Sequence, residues 1–139
     1  MLVIDEVYHH TALQISSSDL LYLIEQLKVK KENEIETLKH KIEQFEQKKR
    51  AEEVAYQSMS TVRKWFAGRP ASHHQAVEYM VQVKERFRKM EQIRRHIREL
   101  DRIMEQIEHP HIKEKGEIEL PPDMIREIRQ LSETEDVQA

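Results

Sequence analysis

Residues 68–72 read Gly68-Arg69-Pro70-Ala71-Ser72, and they decide the fold because they separate two long runs of helical periodicity. Gly68 stands where a C-terminal helix cap belongs, and Pro70 follows where a helix cannot continue. Ser72 opens the next helix, with Gln75 three residues on in a capping-box arrangement. The break predicts a tight reversal between two antiparallel helices. The expected fold class is all-α: a long, coiled-coil-like two-helix hairpin over 18–109 with its turn at 68–72. A dimer of such hairpins would make a four-helix bundle.

N-terminal to the break, helix one is predicted from Ser18 to Ala67, roughly 75 Å at the α-helical rise. Its apolar positions include Leu20, Ile24, Leu27, Ile35, Leu38, Ile42, Phe45, Tyr56, Met59, Val62 and Phe66. From Ile35 to Phe45 the spacing alternates as a coiled-coil seam requires. C-terminal to the break, helix two is predicted from His73 to His109, before Pro110. Its seam is Ala76, Tyr79, Val83, Met90, Ile93, Ile97, Leu100, Met104 and Ile107, interrupted at Arg86, where Phe87 can fill the gap.

Folding the chain at 68–72 pairs residues whose numbers add to about 139. Val62 then meets Val77, Met59 meets Met80, Tyr56 meets Val83 and Phe45 meets Ile93. Ile42, Leu38 and Ile35 follow with Ile97, Leu100 and Met104. Two mismatches remain, Lys49 against Met90 and Glu52 against Phe87. Either helix one rotates there to present Ala51, Val54 and Ala55, or Phe87 and Met90 face a second molecule.

The flanks are shorter elements. Residues 1–17 form an N-terminal arm, in which Leu2-Val3-Ile4 and Thr11 to Ile15 suggest a short β-hairpin turning near His9-His10. Ser16-Ser17-Ser18-Asp19 supplies helix caps and an acidic first turn, with Ile15 as a hydrophobic staple. Residues 110–131 form a tail in which Pro122 begins a short amphipathic helix with the stripe Met124, Ile125, Ile128 and Leu131. Ile112, Ile118 and Leu120 continue the hairpin register, and 132–139 read as a disordered acidic tail. Leu20, Leu21, Leu23, Ile24 and Leu27 are apolar around much of the helix, so this base should be buried by several elements.

Composition narrows the function classes. Charged residues make up 35% and aromatics 6% of the 139 residues, with two glycines and no cysteine. Disulfides, thiolate chemistry and a glycine-rich phosphate loop are therefore excluded. No apolar run reaches the roughly 20 residues of a membrane span. The start Met-Leu-Val-Ile-Asp-Glu lacks the basic residues of a signal peptide, so a cytoplasmic location is expected. Net charge is −3 but unevenly spread: residues 1–60 carry −3, 61–102 carry +6 and 103–139 carry −6.

Candidate functional residues are few. His9-His10, His73-His74 and His109 with His111 suggest metal binding, but adjacent histidines on a helix point apart, and Glu105 to His109 has no partner motif on helix one. No metal, cofactor or catalytic residue is expected, and capping and solvation account for the histidines. Arg88, Arg95 and Arg102 recur every seven residues opposite the seam, a ridge that is either a solvated face or a phosphate-binding one. Trp65 lies among Arg63, Phe66 and Arg69 at the hairpin tip, a composition suited to a binding hot spot.

The tip run Ser60-Thr61-Val62-Arg63-Lys64-Trp65-Phe66-Ala67-Gly68-Arg69-Pro70 resembles the recognition helix and exit of helix-turn-helix proteins. That resemblance implies a nucleic-acid contact. The preceding helix and sharp turn of the motif are missing, because Lys48 to Gln57 contains no helix breaker. A Trp near a Gly in a two-helix turn also marks the secreted WXG hairpin proteins, but Trp65-Phe66-Ala67-Gly68 is one residue too long for that motif.

The expected function is that of a non-enzymatic helical interaction protein: an adaptor, regulator or small scaffold, homodimeric and with a protein partner. Its partner surfaces would be the tip (Arg63, Trp65, Phe66, Arg69) and the base (Leu20, Leu21, Leu23, Ile24, Leu27). The alternative is a nucleic-acid-binding regulator using the tip and the Arg88, Arg95 and Arg102 ridge.

Overall fold

A computed structural model describes residues 1–66 and 72–138, with side-chain surroundings for 1–63 and 74–135. The order of elements is β1 (Leu2–Asp5), β2 (Thr11–Gln14), α1 (Ser17–Gln57), α2 (Thr61–Phe66), α3 (Ser72–Tyr79), a π-helical turn (Met80–Lys84), α4 (Glu85–Glu108), α5 (Pro110–Lys115), β3 (Glu117–Leu120) and α6 (Pro122–Gln138). The chain is mostly helical, with one long helix before the reversal and another after it. It divides into two units, residues 1–32 with 94–139, and residues 33–93.

In the unit of residues 33–93, helix one stops at Gln57, about ten residues short of the Ala67 expected from periodicity. The stop is a serine device. Ser58 donates its hydroxyl to the Ala55 carbonyl at 2.8 Å, and Met59 N–H reaches back only three residues, to Tyr56 O at 3.1 Å. Ser60 Oγ then accepts from Arg63 N–H at 3.3 Å and caps α2. The reversal at 68–72 lies largely outside the described residues.

The early stop resets the register. Lys49 Nζ meets Glu78 Oε2 at 2.9 Å, and Arg86 Nη1 donates to Lys41 O at 3.3 Å. Facing residues thus have numbers adding to 127, not 139. Lys49 pairs with an acid rather than facing Met90, and Met90 is 1% exposed. Among the described residues, Ile35, Leu38, Ile42, Val83, Met90 and Ile93 are the buried apolar side chains of this unit. Val62, Val77 and Met80, expected as seam pairs, are exposed, as is Val54. Phe87 does not fill the gap at Arg86 but stands 50% exposed. The seam position goes to the Arg86 guanidinium, which crosses to a backbone carbonyl of α1.

The other unit is built around a three-stranded sheet in the order β2-β1-β3. The N-terminal hairpin forms as the sequence suggests, β1 and β2 being antiparallel. Its turn is held by buried Asp5, whose Oδ1 accepts from Val7 N–H at 2.8 Å and Tyr8 N–H at 3.1 Å. His9 takes a φ of 56° there. The third strand is a departure from expectation: residues 117–120 do not continue the helical register but pair parallel to β1, from Leu2↔Glu117 to Asp5↔Leu120. Gly116 makes the transition, ending α5 in the left-handed region at φ 72°.

Ser16 caps α1, its Oγ accepting from Asp19 N–H at 3.1 Å, and Ile15 packs on the core beneath. The core joins Val3, Ile118 and Leu120 of the sheet to Leu20, Leu23, Ile24 and Leu27 of α1, Leu100, Ile103 and Ile107 of α4, and Met124, Ile125 and Ile128 of α6. Lys28 Nζ and Asp101 Oδ1, 2.8 Å apart, tie α1 to α4 in the same antiparallel sense. Helix α6 packs its predicted stripe against this core. It also runs on to Gln138, where a disordered tail was expected. Residues 132–138 contain no helix breaker, and Thr134 returns its hydroxyl to Gln130 O at 2.9 Å.

Candidate functional site

The base residues proposed as a partner surface are used within the chain. Leu20, Leu23, Ile24 and Leu27 are buried, and Leu21 is half-buried against the same core. Three strands and α6 cover the multi-sided apolar helix face, so it offers no docking surface. At the tip, Arg63 is exposed. Trp65 and Phe66 lie in α2 with side chains outside the described residues, as does Arg69 altogether.

The arginine ridge is divided between the two units. Arg88, in the 33–93 unit, meets Glu85 Oε1 at 3.2 Å. Arg95 and Arg102 are exposed on α4 of the other unit. Arg102 does not stand on a basic surface: it lines a groove together with Glu99 and Glu105.

That groove has a volume of about 820 Å³ and lies in the sheet-bearing unit. Its walls are α4, through Glu99, Arg102, Ile103, Glu105 and Gln106, and α5, through His109, His111, Ile112 and Lys115. Its third side is the sheet, through Glu117, Ile118 and Glu119 of β3 and Ile4 of β1. Glu6 and Pro121 close the end. Five glutamates face two permanent cations, so the groove is acidic at neutral pH.

Local sequence explains why α5 turns where it does. His109 is extended, its Nδ1 accepts from His111 N–H at 3.2 Å, and Pro110 occupies the first helical position. Both histidines are thereby held as capping and rim groups. Among the described residues no group of three or more His, Asp or Glu side chains comes together in a way that could hold a metal ion.

Beside the core, a second polar cluster joins three helices. Glu127 of α6 lies 3.4 Å from Lys31 Nζ of α1 and 3.3 Å from His96 Nε2 of α4. The His96 Nε2 and Glu127 Oε2 atoms are shielded from solvent, and their mutual alignment falls short of a hydrogen bond. The contact is therefore one of proximity alone. In the turn, burial pushes the Asp5 carboxyl up, but the N–H groups of Tyr8 and Val7, followed by His10 and His9, outweigh it and hold it below its ordinary 3.8. The Lys49 ammonium likewise holds Glu78 below, and Glu78 raises Lys49 above, their ordinary values.

Sequence reasoning missed the glutamates of β3. The signal was present in Glu117-Ile118-Glu119-Leu120, whose strict alternation after a glycine is the period of a strand. No helix among the described residues is long and apolar enough to cross a membrane. No family model, no curated protein and no solved structure matches this chain.

Proposed function

We propose that the chain is a non-enzymatic helical interaction protein, an adaptor, regulator or small scaffold, whose 33–93 unit pairs with a second copy of itself. The observation that carries this reading is the set of large apolar side chains left exposed on that unit: Val54, Val62, Val77, Tyr79, Met80, Val81 and Phe87. Against them stand six buried apolar side chains among the described residues, a small core for the residues it must order. Backbone ordering costs about 1–2 kcal/mol per residue, and two helices bury only one stripe each. Packing two such units as a four-helix bundle covers the remaining faces.

The exposed apolar residues lie on both helices of the unit, as a two-fold interface between identical hairpins requires. Arg88 beside Glu85, and Arg102 among glutamates, favour this reading over a nucleic-acid ridge. Light scattering across a range of loading concentrations tests it. The expected result is a mass near twice 16.8 kDa, reduced to the monomer by Met80→Glu with Phe87→Glu. A monomer at all concentrations would refute self-association. Duplex binding that is lost with Arg88, Arg95 and Arg102 would favour the regulator instead.

A further inference from the structure

The two edges of the sheet are treated differently. On β2 the ladder slips between Val3↔Leu13 and Ile4↔Thr11, so Ala12 has no partner and forms a bulge. Arg129 of α6 donates to the Ala12 carbonyl. A bulge and a cation together close that edge to further pairing.

The β3 edge carries no such cover. Leu2 N–H bonds Gly116 O at 2.7 Å, and Glu6 N–H bonds Leu120 O at 3.1 Å. In a parallel ladder this phase turns the main-chain groups of Ile118 and Leu120 toward β1. The N–H and C=O of Glu117 and Glu119 therefore point away from the sheet. Among the described residues no backbone hydrogen bond reaches them. Successive strand residues face opposite sides of a sheet, so a groove lined by Glu117, Ile118 and Glu119 together meets the strand at its edge.

We propose that the open edge of β3 takes up an extended basic segment of a partner protein as a fourth strand. Main-chain bonds to Glu117 and Glu119 hold the segment, and its side chains decide the partner. Residues placed opposite Glu117 and Glu119 share one face of the enlarged sheet, so the fitting segment carries Lys or Arg at alternate positions. Glu99 and Glu105 on the α4 wall extend the same preference. A second copy of this chain is a poor occupant. Pairing β3 with its counterpart about Ile118 would set glutamate against glutamate on both sides, and like charges directly opposite are unfavourable. This surface is separate from the 33–93 unit, so its use does not depend on self-association.

The probe is a fluorescent peptide of alternating lysine and valine, titrated into the full chain and followed by anisotropy and amide NMR shifts. Saturable binding is expected, weakening with salt, with shifts centred on 117–119 and the groove. Methylating the peptide amides that face β3 should weaken binding about ten-fold, since two main-chain bonds are lost. Glu117→Lys with Glu119→Lys should transfer preference to a glutamate–valine peptide. Absence of binding, shifts confined elsewhere, or indifference to amide methylation would each overturn the proposal, and the methylation arm uses the native chain, so it stands even if the double variant fails to fold. A strand-paired dimer broken by Glu117→Lys would overturn it in favour of the second copy.

Discussion

Met90 and Phe87 lie three residues apart on α4, and the register of the hairpin assigns them opposite fates. Met90 is 1% exposed and Phe87 is 50% exposed. Truncating a fully buried methionine to alanine costs about 2–5 kcal/mol, because the cavity adds to the lost transfer energy. Phe87 has only half its surface to lose. With about 1.5–3 kcal/mol for burying a whole large side chain, Phe87→Ala should cost about 1 kcal/mol. Urea denaturation, at a concentration low enough to keep the chain monomeric, measures both. The midpoint should fall at least twice as far for Met90→Ala, with unchanged slope. In the register adding to 139, Met90 would face Lys49 and Phe87 would fill the seam, and the order would invert. A Phe87→Ala loss equal to or larger than that of Met90→Ala would therefore refute the register and the placement of α1's end.

Gly116→Ala tests the left-handed cap: nothing lies within 4 Å of an added Cβ, so the whole cost is conformational, about 1 kcal/mol, and Gly116→Asn should cost less. Equal stability of all three in urea would refute the positive φ. Asp5, whose folded carboxyl lies below its ordinary 3.8, contributes stability that is complete above that value and fades as pH falls through the folded pKa. Asp5→Ala should accordingly flatten the acid arm of a Tm-against-pH curve; an unaltered arm would show that the turn does not depend on the ionised side chain. Glu127→Ala should lower stability by about 1 kcal/mol through the loss of Lys31 and His96, and a double-mutant cycle with Lys31→Ala should show coupling, whereas strict additivity would mean the 3.4 Å contact does not bind the helices.

The helices were legible because their signals are local. Ser16 as a cap, the apolar stripe from Ile35 to Ile42 and Pro110 after α4 all act within a turn or two. Register was not, and the reason is geometric. The slip between the expected and observed pairings is 12 residues, just over three helical turns, and an apolar position recurs every three or four residues along both helices. Periodicity cannot separate two such alignments. What separates them is the polar mismatch of Lys49 with Met90 in one and the ion pair of Lys49 with Glu78 in the other. The serine stop at Ser58-Met59-Ser60 carries the same information, masked by the good helix formers on its N-terminal side.

The sheet was half legible for a related reason. The β1–β2 hairpin is fixed by a turn five residues long, and Asp5 supplies its hydrogen bonds on the spot. Pairing β1 with β3 joins Leu2 to Glu117, a separation of 115 residues, and no local rule chooses that partner. The choice is made by burial. Ile118 and Leu120 alternate with glutamates, so only a strand on a one-sided core places both apolar side chains inside and both charges outside. Such a core exists once Leu20, Ile24 and Leu27 have met Leu100, Ile103 and Ile107, because the packed helices return the chain to its beginning. The helix packing brings the chain back beside its beginning, which lowers the loop-closure cost of pairing β3 with β1. Placed at the rim of that core, β3 has one side committed to β1 and, among the described residues, no backbone partner on the other.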